Sequence, residues 1–251
     1  MSGHSKWSTI KHKKGAADAK RGKLFSKLTR AIIVAAKEGG GDPAGNLALQ
    51  NAIEKARSYS MPKDTIDRAI AKGSGADADA SSFETVVYEG YGPSGVAVIV
   101  EALTDNRNRT AGEVRHTFAK NDGNLGSSGV VAWLFERRGV VLVAVDGVDE
   151  DELTLAAAEG GADDMTRDGS SFQVLSAPEN LGSVRTAIEA AGFTVENSEL
   201  TMLPKTTVEV ADEGDAKKVL RLMDQLEDND DVQDVFSNFD IPEQVLESVA
   251  G

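Results

Sequence analysis

The chain has 251 residues, 40% of them apolar, only 5% aromatic and none cysteine. Two or three compact units with cores of Ala, Val, Leu and Ile fit that length, and disulfides, thiolate metal sites and Cys nucleophiles are excluded. The formal charge is −14. No apolar run approaches the roughly 20 residues of a membrane span, and the basic first 14 residues lack the apolar stretch of a secretory signal; the absence of cysteine suits a reducing, cytoplasmic setting.

The charge is not evenly spread. Residues 1–37 hold Lys6, Lys11, Lys13, Lys14, Lys20, Arg21, Lys23, Lys27, Arg30 and Lys37 against Asp18 alone, a net charge of +9. Residues 38–75 balance, which leaves −23 for residues 76–251. Such asymmetry points to a nucleic-acid contact at the basic end. The acidic remainder would repel nucleic acid and turn the basic end toward it.

In chain order, residues 1–14 read as a polar basic arm in which Trp7 is available to stack. A helix is predicted over residues 16–37. Leu24, Leu28, Ala31, Ile32 and Ala35 recur with helical spacing, and Lys20, Lys23, Lys27, Arg30 and Lys37 gather on the opposite side. Gly39-Gly40-Gly41 stops it. Asp42-Pro43 reads as the N-cap and first position of a second helix, with Leu49, Ala52, Ile53 and Ala56 inward. A third starts at Pro62, with Ile66, Ala69 and Ile70 inward. Residues 73–82 are small and polar and read as a linker.

The pattern then turns to β. Runs at 84–89 and 95–103 flank a Gly/Pro turn. Thr110-x-x-Glu113 reads as a capping box opening a helix with Ala111, Val114 and Phe118 inward. Strands follow at 130–136 and 140–145 around Arg137-Arg138-Gly139. A helix at 151–159, strands at 163–167 and 172–176, a helix carrying Leu181, Val184, Ile188 and Ala191, and a strand at 193–202 complete a β-α-β-β-α-β order of ferredoxin-like type. The tail adds a strand at 206–210, a helix with Ala216, Val219, Leu220, Met223 and Leu226 inward, and a strand at 232–239. Neither the tail nor residues 84–122 make a whole sheet domain, but together they can. The expected fold class is α+β multidomain. A basic helical domain (1–75) precedes two α/β domains, a discontinuous one (83–133 plus 205–240) and an inserted ferredoxin-like one (134–204).

Gly90-Tyr-Gly92-Pro-Ser-Gly95 matches a dinucleotide fingerprint literally. That motif needs a helix directly after it, and here a strand, Val96-Ala-Val-Ile-Val100, follows, so a hairpin turn is the reading. His4, His12 and His116 have no metal-ligand spacing. The carboxylates, including Asp212-Glu213 and Asp228-Asn-Asp230-Asp231, read as a solvated acidic face. No nucleophile elbow, phosphate loop or metalloprotease motif is present, so no enzyme, cofactor, metal or small-molecule substrate is expected. Arg107, Arg109 and Arg115, with His116 and Lys120, form a second cationic group. It is either an auxiliary phosphate contact or a helix start whose arginines pair with nearby acids.

Four motifs in order, Gly3-His-Ser-Lys-Trp-Ser-Thr-Ile-Lys-His-Lys-Lys14, Met61-Pro-Lys-Asp-Thr-Ile-Asp-Arg-Ala-Ile70, Tyr88-Glu-Gly-Tyr-Gly-Pro-Ser-Gly95 and Glu101-Ala-Leu-Thr-Asp-Asn-Arg-Asn-Arg-Thr110, resemble the YebC/PmpR family over essentially the whole chain. That family also contains the mitochondrial translational activator of cytochrome c oxidase. The resemblance implies an N-terminal helical domain, two α/β domains with the last inserted into the middle one, and no enzymatic activity. It implies a DNA-binding transcriptional regulator or a ribosome- or RNA-associated translation factor. It assigns the basic contacts of the first motif to Lys6, Trp7, Lys11, His12, Lys13 and Lys14. No mitochondrial presequence is expected, and a bacterial cytosolic member is implied.

Overall fold

The computed structural model describes residues 18–75, 83–169 and 171–250. They form two compact units, one drawn from residues 18–27, 83–136 and 203–250, the other from residues 28–75 and 137–202. The chain is a multidomain α+β protein, with helices first and two α/β sheets after them.

In the first unit, β1 (Glu84–Tyr91), β2 (Ala97–Thr104), β3 (Asn124–Leu125) and β9 (Val232–Ser237) make an antiparallel sheet in the order β3-β1-β2-β9. The tail strand thus pairs with β2 from more than a hundred residues away, Val100 opposite Val235. Val86 and Tyr88 of β1 and Val98, Val100 and Ala102 of β2 meet α4 (Arg107–Lys120) through Val114 and Phe118. They also meet α7 (Glu213–Glu227) through Ala216, Val219, Leu220, Met223 and Leu226. The period-2 and period-3.6 stripes of the sequence are the two sides of this core. A short parallel pair, β8 (Val208–Glu209) with β10 (Phe239–Asp240), and helix α8 (Glu243–Ala250) close the unit.

The Gly/Pro segment between β1 and β2 is a tight turn at Pro93–Gly95, with Ser94 and Gly95 at positive φ, closed by the Gly92 N–H on the Val96 carbonyl at 2.7 Å. Gly90 has a separate reason. A Cβ there would lie 2.5 Å from the Asn124 carbonyl oxygen and 2.9 Å from Phe118, so glycine lets β3 and α4 close on β1.

In the second unit, the later part of α1 (Asp18–Gly39) lies with α2 (Leu47–Ser58) and α3 (Lys63–Ser74). Their buried residues are Leu28, Ile32, Ala35 and Ala36, then Leu49, Ile53 and Ala56, then Ile66 and Ala69. The same unit holds β4 (Phe135–Ala144), α5 (Glu150–Glu159), β5 (Ala162–Asp168), β6 (Ser171–Ser176), α6 (Leu181–Ala190) and β7 (Val195–Pro204), with sheet order β5-β6-β4-β7. This is the ferredoxin-like arrangement. Its core joins Val141, Val143, Phe172 and Val174 to Leu153, Ala157, Val184 and Ile188.

Several expectations need correction. Helix α2 begins at Leu47, not at Asp42-Pro43. The buried Asn46 is its cap, accepting from the Leu49 N–H at 3.0 Å while its amide donates to the Ala35 and Gly40 carbonyls at 2.7 and 2.8 Å. Asp42 instead closes a turn onto the Ala44 and Gly45 N–H groups. Helix α4 begins three residues before Thr110, capped by Asn106 on the Arg109 N–H at 3.1 Å, so there is no capping box. Residues 130–134 are not strand but a turn through Ala132–Leu134. Arg137-Arg138-Gly139 is not a turn but the middle of β4. Gly139 pairs with Ser176, and a Cβ there would come 2.5 Å from the Ser176 hydroxyl and 3.0 Å from Leu181. Glycine marks a close approach rather than a reversal. Gly73 and Ser74 are helical rather than linker, and residues 76–82 lie outside the described residues.

Candidate nucleic-acid interface

The arm cations Lys6, Lys11, Lys13 and Lys14, with Trp7 and His12, lie outside the described residues, as does the Lys20 side chain. The described part of the basic region is α1 from Arg21 onward. It is helical because its apolar residues recur at one-turn spacing, and Leu28, Ile32 and Ala35 are buried as that spacing requires. Arg21, Lys23 and Lys37 are exposed, whereas Lys27 and Arg30 are half-buried. Arg21 stacks its guanidinium over the Phe25 ring at 5.4 Å.

Two of these cations do not lie on an open face. The Lys27 ammonium donates to the Glu227 carbonyl at 2.5 Å, and Lys23 donates to the Asp228 carbonyl at 3.2 Å and pairs with Asp230 at 3.3 Å. Both sit at the C-terminal end of α7, where unsatisfied carbonyls and the negative end of the helix dipole attract cations. Burial pushes the Lys27 pKa down from 10.5 to about 8, against the pull of Glu227, Asp230 and Asp228. The acidic tail therefore meets part of the basic helix within the first unit.

The second cationic group divides. Arg109 donates to Asp231 at 2.6 Å and to Asp105 at 3.0 Å. Asp231 is buried and also accepts from the Thr110 hydroxyl at 2.7 Å and the Thr104 hydroxyl at 3.2 Å. Burial works to raise the Asp231 pKa, but the bonds from Arg109 and Thr110, the Arg109 charge and Thr104 outweigh it, and the pKa falls below the usual carboxylate range. Arg109 is thus the ionic partner of a lock that ties the start of α4 to the turn before β9, the arrangement expected where the arginines pair with nearby acids. Arg107 and Arg115 are exposed on α4, beside exposed His116 and Lys120.

The reading of residues 228–231 as solvated fails at Asp231, which is 5% exposed. Nothing in a run of acids marks which one turns inward. Its partner hydroxyls, six residues apart in Thr104 and Thr110, were the available signal. Among the described residues no group of three His, Cys, Asp or Glu side chains is placed to hold a metal ion. No helix among them is long and apolar enough to cross a membrane.

Comparison with known proteins adds the kinship. Residues 5–76 match the TACO1/YebC protein N-terminal domain, and residues 83–239 match the TACO1/YebC second and third domain. A probable transcriptional regulatory protein of Rubrobacter xylanophilus is 56% identical over 251 residues, covering all of both chains. One from Desulfotalea psychrophila is 56% identical over 250 residues, again with full coverage of both. The crystal structure of a conserved hypothetical protein from Aquifex aeolicus, 49% identical, superimposes with a TM-score of 0.79 over 91% of this chain and 94% of that one. With both domain models matched in order along its length, the chain belongs to the TACO1/YebC family.

Proposed function

We propose that this protein is a non-enzymatic, nucleic-acid-binding regulator, and that it acts as a DNA-binding transcriptional regulator in the cytoplasm. The observation that carries the reading is the charge split, +9 in residues 1–37 against −23 beyond residue 75. Binding then runs on counterion release at phosphates. The names of the relatives, probable transcriptional regulatory proteins at 56% identity, support the regulatory side. The three-domain division proposed here is 1–75, 83–133 with 205–240, and 134–204. The break between the two family matches and the β2–β9 pairing support it.

The contacts are assigned to Lys6, Trp7, Lys11, His12, Lys13 and Lys14 of the arm and to Lys20, Arg21, Arg30 and Lys37 of α1. Arg107 and Arg115 are auxiliary. Lys23 and Lys27 contribute only if they leave α7. That engagement also favours a second reading, a translation factor bound to structured RNA or the ribosome. With Lys23 and Lys27 turned to α7, α1 is poorly free to lie along a major groove.

Changing Lys11, Lys13 and Lys14 together to Ala tests the assignment. Loss of three phosphate contacts should lower the slope of log affinity against log salt by about 2 to 3, with the melting temperature unmoved. An unchanged slope and affinity would refute it. A changed slope on ribosomal RNA, with little binding to DNA at physiological salt, would select the translation reading.

A further inference from the structure

The first unit buries its large aromatic rings at Phe118, Phe135, Phe236 and Phe239, yet leaves Trp133 65% exposed. This indole stands on a fixed backbone. The buried Glu89 carboxylate accepts from the N–H groups of Gly129, Val131 and Ala132 at 2.7, 2.9 and 2.8 Å. Burial alone would raise the Glu89 pKa, but the three backbone donors hold it below its ordinary value. The turn through Ala132–Leu134 is closed by the Leu134 N–H on the Val131 carbonyl at 2.9 Å, with Val131 fully buried as its anchor.

The ring itself is oriented from inside. Its Nε1–H donates to the Val130 carbonyl at 3.2 Å, which also accepts from the Tyr91 hydroxyl at 3.3 Å. The one polar atom of the indole is thus satisfied, and what it offers to solvent is π surface.

The neighbourhood selects the occupant. The Lys205 N–H donates to the Leu134 carbonyl at 2.8 Å, which brings an exposed lysine to the turn. Ser127, Ser128 and Gly129, before the turn, are exposed and polar or bare. Among the described residues of this unit, Val87 is the other large apolar side chain left exposed. Two apolar groups are too few for the buried core of a protein interface. A rigid aromatic face on a turn whose backbone is bonded to that of an exposed lysine matches a nucleobase with its adjoining phosphate.

We propose that Trp133 is a stacking platform for one base of a single-stranded nucleic acid, with Lys205 taking the neighbouring phosphate. This rests on the nucleic-acid reading above but places a contact away from the basic arm, inside the acidic part of the chain.

The full-length chain has two tryptophans, so Trp7→Phe leaves Trp133 as the sole indole. That protein is titrated at low salt with a twelve-nucleotide oligouridylate to read emission, while anisotropy of a labelled copy measures binding both by it and by the native chain, in which the Trp133 and Lys205 variants are also made. Trp133 emission should be strongly quenched as binding saturates. Trp133→Ala should weaken binding about tenfold, Trp133→Phe should restore most of it, and Lys205→Gln should lower the salt slope by about 0.7. The melting temperature of Trp133→Ala should match that of its parent, because the ring is exposed. Saturated anisotropy with unquenched Trp133 emission would overturn the platform and leave the nucleic-acid reading standing. Absence of oligouridylate binding by the native chain would overturn the platform, and absence of binding to duplex DNA and ribosomal RNA as well would overturn both.

Discussion

Lys27→Met removes a charge that folding has pulled partly out of water while keeping the length of the side chain. In the folded protein the ammonium sits on the Glu227 carbonyl, and its pKa falls from 10.5 to about 8. Between those values the unfolded chain holds a proton that the folded chain has released, so stability rises with pH across the window from about 8 to 10.5. At about 1.4 kcal/mol per pH unit, the full span corresponds to ~3 kcal/mol. Part of the side chain remains in water, and pH 7 to 10 samples most but not all of the window. The expected gain of the native chain relative to Lys27→Met is therefore about 2 kcal/mol. Urea denaturation of both proteins at pH 7, 8, 9 and 10 measures it, because the other titrating groups are shared and cancel in the difference. At pH 7 the Met variant should be at least as stable as the native chain, since a half-buried charge is replaced by a shape-matched apolar group. Parallel stability curves for the two proteins from pH 7 to 10 would refute the reasoning. They would mean that α7 accepts the lysine without desolvating it.

Asp231→Asn should cost about 2 kcal/mol near neutral pH, because Arg109 and the hydroxyls of Thr104 and Thr110 lose an ionised acceptor. The Asp231 pKa is depressed on folding, so the native chain holds this stability above the ordinary carboxylate pKa and loses it as pH falls through the folded value. Acid titration of the melting temperature should bring the two proteins together at low pH. Arg109→Ala should lower the melting temperature and Arg107→Ala should leave it unchanged. Of the two, only Arg107→Ala should weaken nucleic-acid binding without touching the fold, as calorimetry paired with a filter-binding titration would show.

Residues that act through periodicity were legible without coordinates. The apolar stripe of α1, the inward face of α7 and the strand following Gly95 all lie where spacing alone puts them. Helix starts were less legible. The Asp42-Pro43 and Thr110-x-x-Glu113 patterns fit the local rules for caps, yet Asn46 and Asn106 are the caps. Asn46 has a tertiary reason, for its amide also satisfies the Ala35 and Gly40 carbonyls at the end of the preceding helix. Arg137-Arg138-Gly139 misled in the same way. A glycine between charged residues reads as a turn until the strand beside it and Leu181 above it supply the reason for a missing side chain.

What the sequence determined by itself is what depends on neighbours along the chain. The order of helices and strands, the Gly/Pro hairpin, the concentration of positive charge before residue 38 and the four family motifs all belong there. Tertiary structure decided which charged groups remain available. Lys23 and Lys27 share a stripe with the other cations of α1, but they end on carbonyls two hundred residues away. Asp231 sits in an acidic run, but it is buried against Arg109 and two threonine hydroxyls. Trp133 is exposed because Glu89, forty residues earlier, fixes the turn beneath it. Charge and type are properties of a residue. Its desolvation and its partners are set by segments that only folding brings together, and those govern whether it binds a ligand or holds the protein.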